Sequence, residues 1–108
     1  MAVSSARTKA RDAKRVSDLK QISTALELYV TDENVYPNLI TPGQPMVGPT
    51  SGKTYMSKVP SNPTPRAEGA CADADYQYVG NSDNYSLIGC SANGVGTSPA
   101  GAINYQKG

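Results

Sequence analysis

The chain has no histidine, no tryptophan and no phenylalanine among its 108 residues. Without histidine there is no imidazole base, no Ser-His-Asp triad and no His-ligated metal centre. A phosphate-cradling Walker loop, a dinucleotide fingerprint and a Cys-x-x-Cys pair are also missing. Asp73 and Asp75 lie two residues apart near a predicted strand edge, an arrangement that does not suggest paired-carboxylate catalysis. The expectation is a non-enzyme, with no catalytic, cofactor-binding or metal-ligating residue and no cofactor. No run of about 18 apolar residues occurs to span a bilayer, and no secretory leader is visible. A net charge of +1 gives no global pull toward nucleic acid or anionic lipid.

Apolar bulk is scarce as well. Leu, Ile and Val total 17, tyrosine supplies all seven aromatics, and Gly, Pro, Ser, Thr and Asn together reach 44, mostly after Glu33. Such a composition fits one loop-rich domain with a thin core, residues 1–108, that needs a helix to pack on and a covalent staple. Cys71 and Cys90 are the only cysteines. Two thiols in a small, core-poor domain fit a disulfide formed in an oxidising compartment, the alternative being two buried free thiols. Closing that loop would contribute roughly 3 kcal/mol on the chain-entropy model. A disulfide requires export, so the natural chain is expected to extend upstream of Met1-Ala2-Val3.

Residues 5–33 contain neither Gly nor Pro, and Val16, Leu19, Ile22, Leu26, Tyr29 and Val30 recur at spacings of three and four. This predicts a helix whose second half packs on the domain, through Leu19, Ile22, Leu26 and Tyr29, while its first half does not. The charges run against the helix dipole, with Arg7, Lys9, Arg11, Lys14 and Arg15 early and Glu27, Asp32 and Glu33 late. Either the helix begins further upstream, or Arg7, Arg11 and Arg15 form an exposed, solvated basic ridge. Asn34 suits a left-handed helix exit, and Tyr36-Pro37 blocks resumption. Residues 34–70 read as a long helix-to-sheet loop region without a convincing strand, although 53–59 could form a short element.

Residues 71–108 read as a hairpin-based sheet with a C-terminal tail. Strands are predicted at 75–79 and 85–89 around the turn Gly80-Asn81-Ser82-Asp83-Asn84. Tyr76 and Tyr78 would share one face of the first, Tyr85 and Leu87 one face of the second. Cys71 and Cys90 are equidistant from that turn and would face each other near the open end of the hairpin. A third strand is expected at 102–106, after a flexible segment at 94–101. Asp83, Asn93 and nearby carbonyls could offer oxygen ligands to calcium, but both are ordinary turn residues and no site is assigned. Asn84-Tyr85-Ser86 matches a glycosylation acceptor at a strand start and is read as chance. The basic helix start could touch nucleic-acid phosphates, yet Asp12 and Asp18 interrupt it, so a solvated face is the better reading.

Taken together, Ala6-Arg7-Thr8-Lys9-Ala10-Arg11-Asp12-Ala13-Lys14-Arg15-Val16-Ser17-Asp18-Leu19-Lys20-Gln21-Ile22 and Thr24-Ala25-Leu26-Glu27-Leu28-Tyr29 resemble the exposed half of a type IV pilin or type II secretion pseudopilin helix. Asp32-Glu33-Asn34-Val35-Tyr36-Pro37 is similar to the family's helix exit, with Asn34 where Gly is usual. Tyr55-Met56-Ser57-Lys58-Val59-Pro60-Ser61-Asn62-Pro63 and Asp83-Asn84-Tyr85-Ser86-Leu87 resemble its loop and sheet segments. The resemblance implies an α+β fold, one long N-terminal helix packed on a small antiparallel sheet. It also implies an apolar helical half before Ser5 that anchors the subunit in the inner membrane before assembly. The partners would be copies of itself and other pilins in a helical filament, extracellular or at the periplasmic and cell surface. Major pseudopilins generally carry an acidic calcium loop and no disulfide. Asn93 and the Cys71 and Cys90 pair therefore tilt the reading toward a pilus, with the secretion pseudopilin as the alternative. An adhesion role for residues 38–54 and a DNA-uptake role are the remaining ones.

Overall fold

The computed structural model describes residues 2–94 and 99–107, with side chains from Ala6 onward. The fold is α+β: one long helix, α1 (Ala2–Glu33), lies against two small antiparallel sheets. The first sheet pairs β1 (Met46–Val47) with β2 (Thr54–Met56). The second has the order β3-β4-β5, from β3 (Gln77–Gly80), β4 (Tyr85–Ser91) and β5 (Gly101–Lys107).

An unbroken run of helix-compatible residues lets α1 reach 32 residues, about 48 Å at 1.5 Å per residue. It ends as its sequence implies. Asn34 takes φ of 65° and its N–H donates to the Val30 carbonyl at 2.9 Å, after which Tyr36 and Pro37 turn the chain away. Leu19, Ile22 and Leu26 are sealed from solvent and Tyr29 nearly so. They meet Tyr85 and Leu87 on the inward face of β4, whose burial alternates along its seven residues. Close approach depends on Gly89, because a Cβ there would lie 2.5 Å from Leu19 Cδ1.

Several expectations need correction. The first half of α1 does pack: Asp12 and Arg15 are both completely buried, so Arg15 is not part of an exposed ridge. The region 34–70 holds β1 and β2, the latter inside the suggested 53–59. The hairpin pairs Gly80 with Tyr85 and Gln77 with Ile88, so its centre falls between Ser82 and Asp83, two residues beyond the expected midpoint. Tyr76 precedes β3 and is buried, while Tyr78 within it is half-buried. Cys71 and Cys90 are indeed bridged, but not as facing ladder residues. Cys90 pairs with Ala102 of β5, and Cys71 closes a tight turn back to Glu68. The third strand is present as β5, and of the 94–101 segment expected to be flexible, residues 95–98 lie outside the described ones.

Leu26→Ala should cost about 2–5 kcal/mol in urea unfolding, because it removes a sealed side chain from the apolar cluster. Thr24→Ala on the solvent face should stay within about 0.5 kcal/mol of the parent. Equal losses would contradict this packing.

Candidate functional site

The densest polar chemistry in the protein sits on the face of α1 that carries Arg11, Asp12 and Arg15, neighbours at i,i+3 and i,i+4 spacing. Arg15 reaches into the 62–68 segment. Its Nε donates to Asn62 Oδ1 at 2.7 Å, its Nη1 to Asp12 Oδ1 at 2.9 Å, and its Nη2 to Glu68 Oε2 at 2.7 Å and the Pro65 carbonyl at 3.0 Å. Arg11 grips Glu68 with both prongs, Nε to Oε2 and Nη2 to Oε1, each at 2.8 Å. Asp12 faces the other way, accepting the backbone N–H groups of Ala92 at 2.7 Å and Asn93 at 2.9 Å. One helical turn thus ties down both the Pro-rich loop and the chain leaving β4.

Neighbouring groups extend the network. Asn62 donates through Nδ2 to the Ala74 carbonyl, and its backbone N–H donates to Asp75 Oδ1. Asp75 also accepts from the Tyr76 N–H, Ser61 Oγ and Arg66 Nη2, so both of its oxygens are occupied. The Tyr76 hydroxyl donates to Asp18 Oδ2 at 2.8 Å, and Lys14 covers the same carboxylate from outside. No buried side-chain nitrogen or oxygen among the described residues lacks a partner. Gly69 makes the corner possible. It has φ of 53°, and a Cβ there would sit 2.5 Å from the Ala92 carbonyl oxygen.

The acidic end of α1 is used in the same manner. Glu33 accepts the N–H groups of Thr50 at 2.9 Å and Ser51 at 2.8 Å, Asp32 accepts the Tyr55 hydroxyl, and Glu27 accepts the Tyr36 hydroxyl. Of the charges that oppose the helix dipole, Arg11, Arg15, Glu27, Asp32 and Glu33 are matched to specific partners beyond the helix, contacts that offset a dipole term of about 0.3–1 kcal/mol each.

These contacts set the protonation of the carboxylates. The two hydrogen bonds from Arg11, with Arg15 behind them, overcome burial and hold the Glu68 carboxyl down at about 2. Burial works to raise Asp12, but the N–H groups of Asn93 and Ala92 and the Arg15 guanidinium prevail and keep it below the usual carboxylate range. Desolvation and the bond to Asp18 push the Tyr76 hydroxyl far up. The Glu68 and Asp12 carboxyls are therefore ionised at neutral pH, while the Tyr76 hydroxyl keeps its proton.

Among the other candidates, Asp83 and Asn93 flank opposite ends of β4 and are not brought together. The described residues include no group of three or more His, Cys, Asp or Glu able to hold a metal. Arg11 and Arg15, engaged by Glu68, are withdrawn from the basic ridge considered for nucleic acid, leaving Arg7 and Lys9 exposed. No helix among the described residues is long and apolar enough to cross a membrane. A hollow of about 190 Å³ beside β3 is lined mainly by Ala72, Ala74, Ile88 and Ala102, with only the engaged Asp75 as a charge. Sequence reasoning missed Asp12, Arg15, Asn62 and Glu68. An early clue was available: Asp12 and Arg15 stand three apart on the same face as Leu19 and Ile22.

Set against protein-family models, curated proteins and solved structures, the chain finds no match in any of the three.

Removing Arg15 breaks its buried pair with Asp12 and takes one of two guanidinium partners from Glu68, so Arg15→Ala should cost about 3–5 kcal/mol. Lys9→Ala should be within about 0.5 kcal/mol of neutral. A loss for Arg15→Ala no larger than that for Lys9→Ala would show that the network is incidental.

Acid should act through Glu68. Its folded pKa of about 2 lies below its ordinary 4.5, so the unfolded chain takes up the proton first as pH falls. The stabilisation is complete above about pH 5 and is lost progressively toward pH 2, with Asp12 and Asp75, also lowered, adding to the same trend. Melting temperatures recorded across that window should fall, and Glu68→Gln should flatten the slope. An unchanged slope in the variant would assign the acid sensitivity elsewhere.

Proposed function

We propose that this chain is the globular part of a structural subunit of a type IV pilus or a related filament, assembled by packing of its long helices. The observation that carries this reading is the relation of α1 to the rest of the fold. The helix is about as long as the 50 Å long axis of the protein. Its early residues Ala6, Arg7, Lys9 and Ala10 are exposed, and packing begins at Arg11 and Asp12. From there the helix is fastened by the ion pairs of Arg11 and Arg15 with Glu68, by the Ala92 and Asn93 N–H groups on Asp12, by apolar packing from Leu19 to Tyr29, and by Asp32 and Glu33 at its far end. A stalk fixed to its head over most of its length passes load to it without a hinge, which a fibre subunit requires.

The helix exit through a left-handed Asn34 into Tyr36-Pro37 and the Cys71 and Cys90 bridge agree with the pilin resemblance. Of the two branches of that family, the pilus is preferred over the secretion pseudopilus. The chain after β4 is held by the Asp12 carboxylate and stapled by the disulfide, so a cation is not needed to order residues 91–93. In this reading the subunit's membrane anchor is an apolar helical segment continuous with α1, its partners are further copies and related subunits, and it performs no catalysis.

Antibodies raised against this domain should decorate filaments sheared from cells that make it, and disrupting its gene should remove those filaments. Recovery of the domain only as free monomer in the medium, with undecorated filaments unaffected, would overturn the proposal.

A further inference from the structure

Among the described residues, the three-stranded sheet has one long free edge. β4 is central, and β3 offers only four residues on its side, but β5 runs for seven, roughly 23 Å. Every second residue of an outer strand turns its N–H and C=O away from the sheet. Among the described residues no backbone or side-chain hydrogen bond reaches β5 except those of its ladder with β4. The usual protections of an edge are also sparse. β5 contains no proline, and its single charge, Lys107, stands at its end. On the helix side, Ile103 and Tyr105 pack against the core yet remain only half-covered.

From this edge we infer that β5 is a self-association surface, and that its occupant is β5 of a second copy, antiparallel about a two-fold axis through Asn104. The strand's own sequence is the argument. A sheet continued across a two-fold must keep like faces together, so residue numbers facing each other must sum to an even value. Centring on Asn104 overlaps all seven residues. Ile103 then faces Tyr105 of the second copy, a β-branched and aromatic pair of the kind that stabilises antiparallel strands. The same contact completes the cover over both side chains. On the outer face Ala102 meets Gln106 and Asn104 meets Asn104, amide to amide. Lys107 falls opposite Gly101, so no like charges are juxtaposed. The pairing forms a closed dimer with a continuous six-stranded sheet from two three-stranded ones. It uses none of the exposed helix residues, so it stands or falls independently of filament assembly.

Sedimentation of the parent protein should show a mass rising toward the dimer as concentration approaches the millimolar range. The register is read by a thiol. The native cysteines are bridged to each other, so Asn104→Cys introduces the sole reactive sulfur at an exposed position. At the two-fold axis the two copies of residue 104 would be roughly 4.5–5.5 Å apart, within disulfide reach. Under mild oxidation Asn104→Cys should cross-link to dimer at least tenfold faster than Val79→Cys, which places a thiol on the exposed face of β3. Far-UV circular dichroism identical to the parent qualifies both variants, and Asn104→Lys, which sets two like charges at the axis, should abolish the association. A parent that remains monomeric at the highest concentration, or equal cross-linking from positions 104 and 79, would overturn the inference.

Discussion

A guanidinium removed entirely from water is the constraint around which this small protein is arranged. Burying Arg15 unpaired would cost several kcal/mol after relaxation, comparable to the whole stability of a domain this size. The fold meets that demand with two carboxylates, a side-chain amide and two backbone carbonyls, drawn from α1 itself and from the 62–68 segment. Each of those groups brings its segment along. Glu68 brings the turn that ends at Cys71, Asn62 brings the segment leading to Asp75, and Asp12 brings the backbone leaving β4. With little apolar material after Glu33, directional polar contacts take over the ordering that a larger core would otherwise supply.

The parts legible in the sequence were those governed by local rules. An uninterrupted run of helix formers, an apolar stripe at three and four, Asn34 before Tyr36-Pro37 and the alternation around Tyr85 and Leu87 each depend on neighbours in the chain. The ionic network was not legible because its logic is non-local. Arg15 and Glu68 are 53 residues apart, and Asp12 and Ala92 are 80 apart. Read along the helix alone, Arg7, Arg11 and Arg15 form one ridge of like charge. In three dimensions Arg7 is exposed, Arg11 is partly covered and Arg15 is sealed.

The cysteines illustrate a subtler failure. Equal distance from a turn pointed to the right pair for a partly wrong reason. The ladder pairs residues whose numbers sum to 165, as Gln77 with Ile88, whereas the two cysteines sum to 161. The segment between Cys71 and β3 does not continue the ladder. It leaves the sheet so that Asp75 can collect the N–H of Asn62 and Tyr76 can reach Asp18. The polar contacts of Asp75 and Tyr76 thus lie immediately before the point where β3 begins.

The interdependence of Arg15 has a consequence for how the chain can vary. A substitution at Arg15 alone takes a charged partner from both Asp12 and Glu68, whereas joint replacement of all three by apolar residues of similar volume would remove that ion-pair demand, with Arg11 and the Ala92 and Asn93 N–H groups then needing other partners. Intermediate combinations should therefore be less stable than either end point, and the set should be inherited as a block. Among descendants of a common ancestor, positions 12, 15 and 68 should change together, while Arg7 and Lys9, a turn or two away on the same helix, drift freely.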